Sequence, residues 1–177
     1  MKKVLVVATL SLVAVAAFGQ ASNPLPSIKG VTLGQLESVH VNDCHYAGFD
    51  SKSGVTSFSC LNPEESSELW LDYDKNNKLE SIDYTVLGAW ELMSPSLTAK
   101  FGKPSSVKTK VVQNGFGARF VEHHAMWVTN RYVVSADEGF RDDNTTKGKQ
   151  VDIRYETRAS FEAGIESLRK SVTGQLD

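Results

Sequence analysis

Apolar and polar residues alternate through the middle of the chain, which predicts short antiparallel strands. The runs Glu68 to Tyr73 and Leu79 to Tyr84 flank the pair Asn76-Asn77. A two-residue turn at the asparagines pairs Leu71 with Ile82, whereas a three-residue turn would set Leu71 opposite a serine. The hydrophobic match favours the two-residue turn.

Helix signals occur at three places. The segment from Ser94 to Gly102 opens with a capping serine and a proline and closes with a glycine, and Thr32 followed by Gln35 resembles a capping box. A last helix begins near Ser160, since apolar residues spaced by three and four form one stripe. The stripe consists of Phe161, Ile165, Leu168 and Val172.

A second hairpin and a long polar loop follow the central helix. Asn114-Gly115 is a strong two-residue hairpin signal, but that register sets Lys110 opposite Arg119. Either the loop is wider than two residues or both charged ends are solvated. The segment 137–149 is acidic and polar, and we expect it to be a loop before the next strand.

The fold class that these elements predict is α+β. We expect an open antiparallel sheet of about seven strands, with two or three short helices packed on one side. Residues 28–177 form a single domain behind a short linker at 22–27, and about 155 residues are enough for one core.

The first residues have the pattern of a secretory signal peptide. Lys2 and Lys3 precede an apolar run that ends at Phe18, and small residues follow. We expect residues 1–21 to be removed by cleavage after Ala21, with cleavage after Gly19 as the alternative. The predicted location is the periplasm, with secretion as the alternative and no membrane insertion after cleavage.

The two cysteines predict one disulfide. An exported chain with two cysteines permits a single pairing, Cys44 with Cys60. A hairpin folded about Lys52 places these cysteines opposite each other and Tyr46 opposite Phe58, so the disulfide and the aromatic pair share a face.

Composition and motifs exclude several functions. The chain has a formal charge of −2 and no run rich in lysine and arginine, so we expect no nucleic-acid partner. No Gly-x-Ser-x-Gly or His-Glu-x-x-His motif occurs, and His123 and His124 point to opposite faces of a strand. We therefore expect no cofactor, no metal ion and no enzymatic activity.

Two aromatic residues in predicted loops are the best candidates for a function. Phe116 lies at a hairpin tip and Phe140 in the acidic segment, and exposed aromatics are common anchors of protein interfaces. Together with Asn114 and Arg141 they form the predicted partner-binding set. The alternative is that each ring folds back onto the core.

Short motifs add a family resemblance. The segment Ile28-Lys29-Gly30-Val31-Thr32-Leu33-Gly34 and the helix exit Leu97-x-x-x-Phe101-Gly102-Lys103-Pro104 resemble those of small exported bacterial domains, and a Leu-x-Tyr-Asp hairpin lies between them. These domains have the β-lactamase-inhibitor-protein-like fold, shared with the small lipoprotein of the outer-membrane barrel-assembly machine. The resemblance covers most of residues 28–173 and implies a non-enzymatic protein that binds other proteins as an inhibitor or assembly factor. The chain lacks the lipid-acceptor cysteine of the lipoproteins.

The sequence thus predicts an exported module that binds another protein. The alternative is a small cell-envelope enzyme or ligand-binding protein, with Asp72, Asp83 and Trp70 lining a groove, because a carboxylate pair beside an aromatic ring suits glycoside hydrolysis. A homodimer through the sheet face is a third interpretation.

Overall fold

The computed structural model describes residues 25–36, 44–62, 67–113, 116–142 and 147–173. Within these ranges the chain forms ten strands and two helices. The strands are β1 (Ser27–Ile28), β2 (Val31–Thr32), β3 (His45–Asp50), β4 (Val55–Asn62), β5 (Ser67–Tyr73), β6 (Leu79–Leu87), β7 (Ser106–Gln113), β8 (Arg119–Val128), β9 (Tyr132–Asp142) and β10 (Lys147–Thr157). The helices are α1 (Trp90–Phe101) and α2 (Arg158–Thr173).

Eight of the described strands form one open antiparallel sheet in the order β3-β4-β5-β6-β10-β9-β8-β7, and β1 pairs with β2 separately. Two four-strand meanders, β3 to β6 and β7 to β10, are therefore joined through their last strands. This arrangement leaves β3 and β7 at the sheet edges. The α+β class with an open antiparallel sheet is confirmed.

One face of the sheet carries the hydrophobic core. Paired residues of an antiparallel sheet share a face, so the buried rows run across several strands. The core face includes Leu71, Ile82, Tyr155, Val134 and Trp127, and α1 adds Trp90, Leu97 and Phe101. We call the opposite side the polar face.

The predicted register of the β5–β6 hairpin is confirmed at its centre. Leu71 pairs with Ile82 and Leu69 with Tyr84. A register shift after Asp72 then pairs Tyr73 with Leu79, so the turn is wider than two residues. Asn77 adopts a φ of 58° in this turn, a conformation that asparagine tolerates.

The predicted disulfide between Cys44 and Cys60 is confirmed, and Tyr46 pairs with Phe58 as expected. The two rings meet edge to face with centroids 6.0 Å apart. The disulfide therefore joins the start of edge strand β3 to β4, where it limits fraying of that edge.

Helix α1 begins five residues earlier than the sequence indicates, at Trp90 rather than at Pro95 after a cap at Ser94, and Pro95 lies inside it. No side chain of the preceding residue caps the helix; the Trp90 N–H donates to Oε1 of Glu138 on β9 instead, at 3.1 Å. The predicted end is confirmed, because Gly102 has a φ of 78° and donates to the Thr98 carbonyl.

The last helix begins at Arg158, close to the predicted start, and contacts β9 and β10. Its predicted stripe is only partly covered: Phe161 is half-buried, whereas Leu168 is 63% exposed.

The small helix predicted after Thr32 is wrong in its described part, because Thr32 ends β2, residues 33–34 form a turn and Leu36 bridges to Lys78. Only the reciprocal half of the capping box is present: the Thr32 N–H donates to Oε1 of Gln35. The rest of that predicted helix lies outside the described residues.

In the second half of the sheet one open alternative is resolved and one prediction was wrong. Lys110 pairs with Glu122 rather than Arg119, and the last described pair of the β7–β8 hairpin is Gln113–Arg119, which confirms the alternative of a connection wider than two residues. The segment 137–149 is mostly strand, because β9 extends to Asp142 and β10 begins at Lys147. Opposite charges face each other in the first case, which relieves the repulsion of the narrower turn.

No helix among the described residues is long and apolar enough to cross a membrane.

Candidate protein-binding surface

A stacked aromatic pair lies at one end of the sheet. The rings of Phe120 on β8 and Phe140 on β9 have centroids 5.9 Å apart and planes 22° apart. Phe140 is nevertheless 55% exposed. Phe140 therefore lies on a strand and not in a loop, and stacking against Phe120 holds the ring in place while one side faces solvent.

Phe116 lies beyond the same end of the sheet and is 99% exposed. The following Gly117 has a φ of 86°, a left-handed conformation that other residues adopt only with strain. The alternative that both rings fold back onto the core is not what the structure shows. Of the other two predicted contact residues, Asn114 and the side chain of Arg141 lie outside the described parts of the chain.

Exposed valines extend this apolar area along β7 and β8. Val111 is 60% exposed and pairs directly with Val121, which is also exposed, and Val107 is exposed four pairs further along on the same side of β7. We call the area formed by Phe116, Phe120, Phe140, Val111 and Val121 the β7–β9 surface. Large apolar side chains concentrated on one surface are typical of interaction sites.

A buried carboxylate supports the strand that carries Phe140. Glu138 has 1% of its side chain exposed, and three groups bind it: Nδ1 of His123 at 2.6 Å, Nζ of Lys149 at 2.8 Å and the N–H of Trp90. The Trp90 indole stacks on the His123 imidazole with centroids 5.4 Å apart. The network thus joins α1, β8, β9 and β10 beneath the aromatic pair.

The electrostatics of this network favour an ionised Glu138. Burial alone would raise the pKa of its carboxyl, but hydrogen bonds from His123, Lys149 and the Trp90 N–H outweigh burial and lower it. The hydrogen bond to Glu138 raises the pKa of Lys149 in turn. A carboxylate at the start of a helix also interacts favourably with the helix dipole.

A shallow depression of about 250 Å³ lies across β7, β8 and β9. Lys108 and Lys110 line it on β7, with Glu122 and His124 on β8 and Asp137 on β9. His124 binds Asp137 through Nδ1. The depression therefore offers charged groups of both signs on the polar face, on the opposite side of the sheet from Val111 and Val121.

The alternative site lies on the polar face of the other meander. Trp70 pairs directly with Asp83, and Asp72 lies on the same face. Both carboxylate oxygens of Asp72 accept hydrogen bonds from the hydroxyls of Ser57 and Ser81, at 2.6 and 2.8 Å. Asp72 is therefore already bound by neighbouring strands, as a structural carboxylate would be.

Asp83 has a different environment. Its Oδ2 lies 3.3 Å from a guanidinium nitrogen of Arg154. Burial raises its pKa to about 6, because the opposing effect of Arg154 is smaller and Asp72 and Glu156 repel the ionised form.

The Glu138 network is the part of this region that the sequence analysis missed. His123 was considered only as a candidate metal ligand and rejected, and Glu138 lay within the expected loop at 137–149. Their adjacency depends on the β8–β9 register, in which His124 pairs with Asp137. The sequence did contain one indication of this network. The doublets His123-His124 and Asp137-Glu138 can pair residue by residue when their two strands lie antiparallel.

No cluster of three or more histidine, cysteine or acidic side chains suited to a metal ion occurs in the described part of the chain. Comparisons with protein-family models, with curated proteins and with solved structures found no match to this chain.

Proposed function

We propose that this chain is an exported, non-enzymatic module that binds another protein through the β7–β9 surface. The observation that carries the proposal is the exposure of Phe116 and Phe140 at one end of the sheet, where Phe140 stacks on Phe120. Aromatic rings bury a large area with few rotatable bonds, which makes them effective anchors in an interface.

The composition of the surface favours a protein partner. Its centre is aromatic and aliphatic, while the charged residues Glu122 and Lys149 lie beside Phe120 and Phe140. An apolar centre with a polar rim is the usual organisation of a protein–protein interface. The Glu138 network fixes the strands below and so reduces the conformational entropy lost on binding.

Export is part of the proposal. A disulfide persists in oxidising compartments, and the bond between Cys44 and Cys60 suits the periplasm or the exterior of the cell. The leader-like pattern of residues 1–21 supports the same compartment. The resemblance to β-lactamase-inhibitor-protein-like domains rests on sequence motifs and agrees with binding rather than catalysis.

The test is an affinity capture from envelope extract with the exported, oxidised protein and two double variants. Burying a phenylalanine fully contributes about 1.5–3 kcal/mol, and Phe140 is already half-covered. Phe116→Ala/Phe140→Ala should therefore weaken the captured partner's affinity by about 3–4 kcal/mol, or several hundredfold. The control Phe49→Ala/Leu92→Ala changes two exposed apolar residues elsewhere.

Loss of the partner from the first variant alone supports the proposal. If both variants retain the partner, the β7–β9 surface is not the binding site and the proposal is refuted. Capture of the chain's own second copy, checked by sedimentation, would favour a homodimer instead.

The raised pKa of Asp83 favours one second candidate, a ligand site or active site beside Trp70. A carboxyl group with a pKa of about 6 can act as a general acid near neutral pH. Oligosaccharide binding or hydrolysis that Asp83→Asn abolishes, while the aromatic variant retains it, would establish this candidate over the first.

A further inference from the structure

We propose that edge strand β7 binds an extended segment of the partner as an added antiparallel or parallel strand, and that this segment alternates acidic and apolar residues. The inference rests on the proposed function and specifies how its partner binds. It starts from the two edges of the sheet, which differ in regularity.

Strand β7 is the regular edge. Its eight residues pair with β8 in unbroken register from Ser106 to Gln113, and the strand contains no proline. Edge strand β3 is interrupted by a register shift between Tyr46 and Gly48. A bulge protects an edge from further pairing, whereas a long regular strand presents backbone groups to an added strand.

The two sides of β7 define the chemistry of that segment. Val107 and Val111 lie on the core side, because Val107 pairs with the buried Ala125, and both valines are more than half exposed. Lys108 and Lys110 lie on the polar face and are exposed. A complementary strand would therefore place apolar residues beside the valines and carboxylates beside the lysines.

The distance from the added strand to each charged side chain determines which of these charges interact with it most strongly. Directly opposite residues on β7 lie about 5 Å away, whereas Glu122 and Asp137 lie on the next strands, with each strand adding about 4.8 Å. The lysines therefore dominate the interaction with an added strand, although the neighbouring depression contains carboxylates.

The same lysines disfavour a second copy of this chain. When two β7 strands pair antiparallel with their core faces on the same side, the registers nearest to full overlap set Lys108 opposite Lys110, or Lys110 opposite itself. Like charges at directly opposite positions are destabilising. The edge thus disfavours self-pairing and favours an acidic segment.

The test uses an eight-residue peptide of alternating glutamate and valine as the probe, with the full exported chain. Fluorescence anisotropy of the labelled peptide measures the affinity, and amide hydrogen exchange identifies the strand to which the peptide binds. We expect binding with protection of the β7 amides, and a loss of about tenfold or more in Lys108→Glu/Lys110→Glu. Lys52→Glu/Lys75→Glu makes the same charge change at exposed positions of the other meander and should bind normally.

Three results would overturn the inference: no binding, equal binding of a peptide with four glutamates followed by four valines, or protection outside β7. The captured partner separates the two proposals. If the aromatic double variant loses that partner but the lysine double variant retains it, the β7–β9 surface stands and strand addition fails. If only the lysine variant loses it, the aromatic anchors fail.

Discussion

Replacing Glu138 with glutamine tests how much the Glu138 network stabilises the end of the sheet that carries Phe140. The change removes the charge that binds Nδ1 of His123, Nζ of Lys149 and the N–H of Trp90. A hydrogen bond to a charged group contributes about 1.5–3 kcal/mol, and breaking a fully buried pair costs about 3–5 kcal/mol. His123 and Lys149 are partly exposed and can turn to water, so we expect a loss of about 2–4 kcal/mol.

Urea unfolding of the oxidised protein at pH 7 measures this loss, which corresponds to a melting temperature lower by about 5–15 °C. The matched control is Asp137→Asn, which changes the preceding carboxylate; its side chain is 55% exposed and binds His124. We expect the control to lose less than about 1 kcal/mol. Equal losses for the two variants would refute the supporting role of Glu138.

The pH dependence follows from the sign of the pKa shift. Because folding lowers the pKa of Glu138, its stabilisation is complete above its ordinary value of 4.5 and disappears as the pH falls through the lower native pKa. Wild type and Glu138→Gln should therefore converge in stability in acid. A difference that persists unchanged there would contradict an ionised Glu138.

Three further predictions concern other parts of the fold. Reducing the bond between Cys44 and Cys60, which are 16 residues apart, should lower the free energy of unfolding by about 3 kcal/mol; an unchanged urea midpoint would contradict this. Folding raises the pKa of Asp83 to about 6, so protonated Asp83 stabilises the fold fully below the ordinary pKa of 3.8, and this stabilisation is lost as the pH rises through 6. An NMR titration in which the Asp83 carboxyl has a pKa near 4 would refute the shift. Gly102→Ala should cost about 1 kcal/mol because of the φ of 78°, and calorimetry showing no loss would contradict that reason.

Local patterns were sufficient for the hairpins of the first meander. The alternation around Leu71 and Ile82 determined their pairing, and the cysteine spacing determined the disulfide. Side chains on one face of a hairpin must bury together, so a register shift would expose the whole set. The information that specifies these elements lies within about 20 residues.

Long-range contacts decided the features that the sequence did not reveal. Glu138 binds the N–H at the start of α1 from 48 residues away, so the helix begins at Trp90 and not at the local signal of Ser94. The acidic doublet at 137–138 becomes strand because β8 supplies two histidines as partners. Neither interaction can be inferred from the residues that are near in sequence, because the partners lie on other strands.

The sequence identified the aromatic residues of the candidate site, but only the structure showed which residues surround them. Phe116 and Phe140 stood out in polar surroundings, and both are exposed. The stacking of Phe140 on Phe120 could not be foreseen, because the acidic segment was expected to be a loop.

Site-specific photo-crosslinking in cells that produce the full chain tests the central claim most directly. A benzophenone amino acid replaces Phe116 or Phe140 in turn, and Phe49 serves as the exposed control. A discrete light-dependent adduct with one other protein from positions 116 and 140, and none from position 49, is the result we predict. Adducts from position 49 alone, or equally from all three positions, would contradict a protein-binding role for the β7–β9 surface.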